Sequence, residues 1–416
     1  MLLKLKERRG TGEFFMKNIM IPCILISLLI FSSCGKNKKK EMEYPVEIKR
    51  VDNVIHIINP ETPQKKPRHF LLKEELSFGK DTDNNYIFGN VKKLGVDRQE
   101  NIYVLDRSLY CVKIFDKQGN YIRSVSQKGE GPGEIAGPID LVVDDKNKMI
   151  HILDNKNRKI SRYHFNGSFD SDLRLRDGNP DNFFFSQNNF YLVDYFNADE
   201  MGNIKHRIIK YSFEGNWICQ TKEFIGSFYQ VQKKSDVSIT FNTNFEPKVH
   251  FVCDQKGYLY HGFSNKYEIT VFDQVLKKSR VVTKINPEKY KVSKGEIEGV
   301  LKGLKEKIKR KGMPFNTDSV KFPEYHPLFK NIWLDDYDRV LVNTRIKDDI
   351  AYIDVFNRKG VYEGKMIINE TPDDTTMAWV LYKPIFKNGF IYSAVMNDEG
   401  IILVKKYRLI EKNLND

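Results

Sequence analysis

Cysteine is scarce in this chain and forms no pattern. The 416 residues hold five: Cys23 and Cys34 near the start, then Cys111, Cys219 and Cys253. An odd number at long spacings, in apolar strand-like contexts, argues against a disulfide framework or a zinc ligand set; the last three read as free buried thiols. Histidine is equally thin. His151, His164, His206, His250, His261 and His326 stand singly, with no pair at metal spacing, so each reads as a satisfied core or surface residue. Glycine-rich Gly129-Glu-Gly-Pro-Gly-Glu134 lacks a following Lys-Ser/Thr and precedes strands, which excludes a phosphate loop. The turn Asp81–Asn85 lacks the Gly and Glu of a calcium loop, having Tyr86 and Lys92 instead. Net charge is +13, and the five cations and two acids of residues 1–33 leave +10 without them. The remaining lysines are scattered among acids, not gathered with aromatics in a stripe, so no nucleic-acid partner is expected.

What is present begins with an address. Lys17 is followed by an apolar run from Ile19 to Phe31, short of the roughly 20 residues that span a bilayer. Small residues follow, so residues 1–33 read as a signal peptide, with 1–15 an upstream start because the signal is complete from Met16. Ser32-Ser33-Cys34-Gly35 resembles a bacterial lipobox, with Phe31 in place of the usual Leu; the resemblance makes Cys34 the lipidated first residue of the mature chain. Residues 34–45, rich in Lys and Glu, read as a flexible lipidated tether. The expected location is the outer membrane or cell envelope. The acidic run that marks surface export is absent, which leaves periplasmic and surface-exposed sides both open.

Residues 94–175 carry one pattern twice. Leu94–Asp106 with Val112–Arg123 is matched by Leu141–Asp154 with Ile160–Phe169, about 47–48 residues on, within the range of propeller blades. Each copy has a strand, an Asp/Asn turn, a strand ending in Asp, and a strand closed by a Gly turn. Weaker copies follow at 183–218, 249–273, 329–360 and 385–408. Aromatic residues make up 12%, mostly Tyr and Phe, and favour pleated strands. The fold class is therefore all-β, a six-bladed propeller over 46–412. Residues 46–78 form an entry arm with an outer strand that closes the ring. One segment differs: Ser293-Lys-Gly-Glu296 is a capping box, and Ile297, Val300, Leu301, Leu304 and Ile308 follow at helical spacing until Gly312 and Pro314. This helix, near 293–312, reads as an insertion packed on the ring. As a docking helix it would present Lys302, Lys305, Lys309 and Arg310.

Six such units, the glycine-rich linker with Gly137-Pro138, and the lipobox together resemble the six-bladed β-propeller lipoproteins of Bacteroidota, relatives of NHL-like propellers. The resemblance implies that Gly129, Gly131, Pro132 and Gly133 make a blade-to-blade turn, and the glycines would permit positive φ there. Asp106, Asp154 and Asp194 close the second strand of three blades. They are candidate channel or metal carboxylates, holding Ca²⁺, or else acceptors for turn N–H groups. The expected function is a lipid-anchored binding or scaffold module for a glycan, peptide or protein partner, with no cofactor required. The alternative, drawn from six-bladed relatives, is a calcium-dependent lactonase or lyase with its metal in the channel. No catalytic residue is assigned.

Overall fold

A computed structural model describes residues 45–412 except 80–82, 176–177, 197–198, 200, 235–236, 311, 313–314 and 371–375. Cys34 and the signal, Asp81 and Pro314 lie outside the described residues.

Among the described residues six four-stranded antiparallel blades follow one another, the last two joined in one sheet. Blade 1 is Val91–Val96, Ile102–Asp106, Cys111–Phe115 and Tyr121–Val125; blade 2 is Pro138–Asp144, Met149–Asp154, Lys159–His164 and Phe169–Arg174. Blade 3 is Pro180–Ser186, Asn189–Tyr195, Asn203–Ser212 and Trp217–Gln220; blade 4 is Val249–Cys253, Leu259–Phe263, Glu268–Phe272 and Lys278–Lys284. Blade 5 is Asn331–Leu334, Val340–Lys347, Ile350–Phe356 and Tyr362–Glu370. Blade 6 takes Ile385–Lys387, Phe390–Met396 and Ile402–Lys412 from the end of the chain and its outer strand, Arg68–Phe78, from the beginning. That outer strand is the one expected from the entry arm, and it also pairs in parallel with Tyr362–Glu370 of blade 5. A further hairpin, Glu47–Val51 with Val54–Asn59, lies parallel to the outer edge of blade 4.

Each sheet is apolar on both faces, so its side chains bury against two neighbours. The core is accordingly divided by interface. Tyr103, Leu105 and Val112 meet Leu141 and Ile152 between blades 1 and 2, and Leu153 and Ile160 meet Phe183 and Phe190 between blades 2 and 3. Tyr267 and Val271 meet Phe329 and Phe356 between blades 4 and 5. Phe78 and Tyr392 meet Phe88 and Phe115 where blade 6 returns to blade 1. The blade 3–4 interface is the leanest among the described residues: its buried cluster holds only Tyr191, Ile208, Leu259 and Leu276. The three thiols are free; Cys111 is buried, while Cys219 and Cys253 are half-buried at this lean interface.

The capping box forms as read, with Ser293 and Glu296 bonded reciprocally at the start of helix α1 (Lys294–Lys309). Its apolar face does not simply lie on the ring. Ile308 and Leu304 pack on Ile239 and Phe241 of a second insertion, the hairpin Gln230–Lys234/Val237–Phe241 after blade 3. His326 Nε2 lies 3.2 Å from Glu296 Oε1 and ties the helix start to the chain entering blade 5. Lys302, Lys305, Lys309 and Arg310 are exposed. Truncating a buried Ile costs about 2–5 kcal/mol. Because this cluster is separate from the blade interfaces, Ile308→Ala should raise amide exchange in 230–241 and 294–309 while blade strands keep their protection.

Candidate functional site

The second strand of each blade runs toward the same face of the ring, where the blade-to-blade crossings also lie. At this face the carboxylates read from the sequence find their partners. Asp106 accepts from Gly89 N (2.7 Å), Asn90 N (3.1 Å) and Ser108 N (2.9 Å). Asp154 accepts from Ala136 N and Gly137 N (both 2.8 Å) and Asn157 N (3.2 Å). Asp194 accepts from Asn179 N and from Arg207 Nε and Nη2, both at 2.9 Å. All three are essentially inaccessible to solvent. Each carboxylate thus fastens the chain entering its blade to the end of the second strand. A cation at these positions would have to displace backbone donors and, at Asp194, a guanidinium. Among the described residues no group of three or more His, Cys, Asp or Glu is placed to hold a metal ion.

The glycine-rich linker is held the same way, with one correction. Only Gly133 has positive φ (70°); Gly129 and Gly131 do not. Those two are small because the Glu134 carboxylate folds back over them: a Cβ on Gly129 would stand 2.0 Å from Glu134 Oε2. Gly131 N donates to that oxygen (2.9 Å), Asn157 Nδ2 binds Gly129 O (2.9 Å), and Lys159 Nζ binds Gly131 O (2.9 Å). Pro132 is exposed at the tip of the turn.

The groups that remain open to solvent at this face lie around the channel mouth, and none belonged to a motif. Between blades 6 and 1, Lys92, Lys93, Tyr382 and Lys383 line a cleft of about 80 Å³. Lys93 Nζ is 3.6 Å from Asp140 Oδ1 on the inner strand of blade 2, and Lys383 Nζ binds Lys92 O at 3.3 Å. Between blades 3 and 4 lies a larger pocket, about 240 Å³, lined by Asp181, Asn182, His206, Asn242, Lys248 and Phe251 among others. It opens where the interface core is leanest.

Asp181 and Lys383 are both exposed. Desolvation is the main cause that raises the Asp181 carboxyl to about 6, with Asp140 and Asp194 adding to it and the Asn182 amide (Nδ2 to Oδ1, 3.0 Å) opposing. Desolvation, then Lys93 and Lys92, pushes the Lys383 ammonium down, against the attraction of Asp140 and Asp181. At and near the larger pocket, burial holds His206 at about 4, His250 at about 4 and His261 at about 3, so all three rings are neutral at pH 7.

The reading of every lone histidine as satisfied does not hold. Among the described residues neither nitrogen of buried His206 has a hydrogen-bond partner. His151 is also buried, but it is wedged between Phe185 and Phe190, with Nε2 3.6 Å from Asp144 Oδ2, too long for a hydrogen bond. The sequence signal for the pocket was slight: an isolated polar pair, Asp181-Asn182, opening an otherwise aromatic strand.

A family model for a 6-bladed beta-propeller matches residues 80–359. The chain belongs to this family. Its matched residues run from the approach to blade 1 into blade 5, and the structure supplies the sixth blade that the first 35 described residues help to close. Solved structures similar to this propeller include a candidate exported protein of Bacteroides fragilis NCTC 9343, at 12% identity and TM-score 0.49, covering 85% of this chain and 99% of that one. A DUF4221-family member from Bacteroides vulgatus ATCC 8482 has 12% identity and TM-score 0.49, covering 84% and 100%. Virginiamycin B lyase from Staphylococcus aureus has 12% identity and TM-score 0.41, covering 82% and 100%. Neither ligand nor chemistry transfers at these levels. No curated protein matches.

Two outcomes follow. Removing the Asp154 carboxylate strands three backbone donors, each costing about 1–3 kcal/mol if it stays buried. Asp154→Ala should lower stability by about 2–4 kcal/mol in urea titration, and added calcium or chelator should not move the midpoint of either protein. Asp181 should behave oppositely. Its folded carboxyl keeps a proton to about pH 6, whereas the reference value is 3.8, so stability is fully present below 3.8 and declines as pH rises through 6. Asp181→Asn should therefore raise the thermal midpoint above pH 6, with the gain vanishing toward pH 3.8. Water reaches the group, so the gain is of order 1 kcal/mol and no more.

Proposed function

We propose that this propeller is a lipid-anchored binding module of the cell envelope, and that it takes its ligand at the channel mouth, in the pocket between blades 3 and 4. The observation that carries this reading is the pocket itself, about 240 Å³ left unfilled at the leanest interface, with the exposed Asp181 carboxyl, Asn182, Asn242 and Lys248 along its wall. A concave site with a few convergent polar groups, one of them an acid raised by desolvation, is the usual form of a binding site. The lysines across the mouth and the amides of Asn182 and Asn242 add donors of the kind that orient a polar ligand. A glycan, a peptide or a protein partner would each insert a small group here. Lipid anchoring rests on the lipobox-like Ser32-Ser33-Cys34-Gly35. No helix among the described residues is long and apolar enough to cross a membrane.

The test is a photo-crosslinking residue placed at Asn242, on the pocket, or at Gln118, in a turn at the opposite end of blade 1, in cells that make the full chain. Capture from position 242 and not from 118 is expected. Equal capture from both, or none from 242, overturns the site. In the same cells Cys34→Ser should move the protein from the membrane pellet to the soluble fraction; retention in the pellet would remove the lipid anchor.

A further inference from the structure

Resting on the lipid anchor proposed above, we propose that helix α1 orients the propeller on its membrane, its lysine stripe lying on the anionic phospholipid headgroups of the bilayer that holds the chain. Residues 285–310 hold eight Lys and Arg against four Glu, so 26 residues carry four of the ten net charges that remain without residues 1–33. At roughly 100° per residue, Lys294, Lys302, Lys305 and Lys309 fall within an arc of about 80°, and Glu298 is the one acid among them. All four lysines are exposed, and none has an ion pair among the described residues. Exposed cations elsewhere are engaged: Arg68 binds Glu411 and Arg408 binds Glu75. The stripe is therefore free charge.

The helix stands where the anchored end of the chain enters the fold. Glu47 pairs with Ile58, Ile58 with Thr283, and Ile285 N donates to Asn59 O (3.0 Å). The first described strand thus starts beside the strand that leads into α1, and both meet on the crossing face, because α1 belongs to the connection from blade 4 to blade 5. Even fully extended, the twelve residues 34–45 reach only about 40 Å, so an anchor at Cys34 holds this face toward its bilayer. A flat surface fits against the helix: a Cβ on Gly295, Gly299 or Gly303 would meet nothing within 4 Å. At the helix start the Lys289 and Lys291 ammonium groups stand 5.9 and 6.0 Å from the ring centre of exposed Tyr325, a residue type suited to the headgroup layer. An acidic protein would match the charge as well, but an anchor beside the stripe favours the bilayer. Each cation adds a modest attraction that salt screens over about 10 Å. At physiological salt the stripe therefore orients a chain already anchored and does not hold one alone. The pocket between blades 3 and 4 opens next to this surface, since Asn242 on its wall follows the hairpin that α1 packs on.

Vesicle flotation tests this with the mature chain, residues 34–416 carrying Cys34→Ser, at about 20 mM salt. The chain should float with vesicles of phosphatidylglycerol and phosphatidylcholine, not with phosphatidylcholine alone, and about 0.5 M salt should release it. Lys294→Glu, Lys302→Glu, Lys305→Glu and Lys309→Glu together should weaken binding roughly tenfold or more, with the thermal midpoint unchanged because all four side chains are exposed. Reversing Lys117, Lys256, Lys277 and Lys359, exposed in turns on the opposite face, changes the net charge equally and should cost less than about twofold. No binding to the anionic vesicles, binding that survives high salt, or equal loss in the two variants overturns the surface. High salt strips this contact, so cell fractionation of Cys34→Ser in high salt reads the anchor alone. Retention in that pellet with vesicle binding intact removes the anchor and leaves the headgroup surface; release with vesicle binding absent removes only the surface.

Discussion

A blade is apolar on both faces and can bury neither alone, so the whole molecule depends on the ring being closed. The strand Arg68–Phe78 does this. It completes blade 6 along nearly its full length against Ile402–Lys412 and lends its first residues to the edge of blade 5. Phe70 and Leu72 enter the core between blades 5 and 6, and Phe78 enters the core between blades 6 and 1. Every other interface is then compressed between neighbours. Local bonds finish the assembly: the aspartates at the ends of second strands fasten each crossing, and buried lysines such as Lys159 tie linker carbonyls to the adjacent blade.

The same constraint explains where a ligand site arises. Ring closure fixes six interfaces, and five of them are packed with large side chains among the described residues. The one between blades 3 and 4 is lean, because the chain leaves blade 3 early. The long strand Asn203–Ser212 pairs with Trp217–Gln220 over one end and with Phe224–Phe228 over the other, which carries the chain out toward the inserted hairpin. His206 stands on that diverging end, paired with Tyr195 on one side and Phe224 on the other. The hollow is thus a product of topology: Asp181 and Lys248 at its rim stay exposed, while His206 in its wall is buried.

Much of the architecture was legible in residues. The doubled pattern at 94–175 set the blade length, and the Gly turns recur as read, with Gly119, Gly167 and Gly215 all at positive φ. The capping box marked helix α1 at its first turn. The hairpin 230–241 was not legible, since nothing local distinguishes an inserted strand pair from a blade's own. The linker glycines were recognised for the right place and the wrong reason, because steric room for Glu134 is a tertiary fact that no φ preference encodes. The candidate site was scarcely legible at all. Asp106, Asp154 and Asp194 stand out because their turns repeat, and repetition is what a structural lock produces. Asp181, His206 and Lys248 come from three separate stretches and meet only where blades 3 and 4 pack, so no spacing in the sequence joins them.

The central claim is that the protein meets its ligand at the hollow end of the blade 3–4 interface. Amide hydrogen exchange of the full chain, with and without the ligand captured from the envelope, tests it most directly. The account predicts added protection in 179–182, 224–229 and 242–251. Protection confined to helix α1, or to the turns on the opposite face such as 116–120, would contradict it.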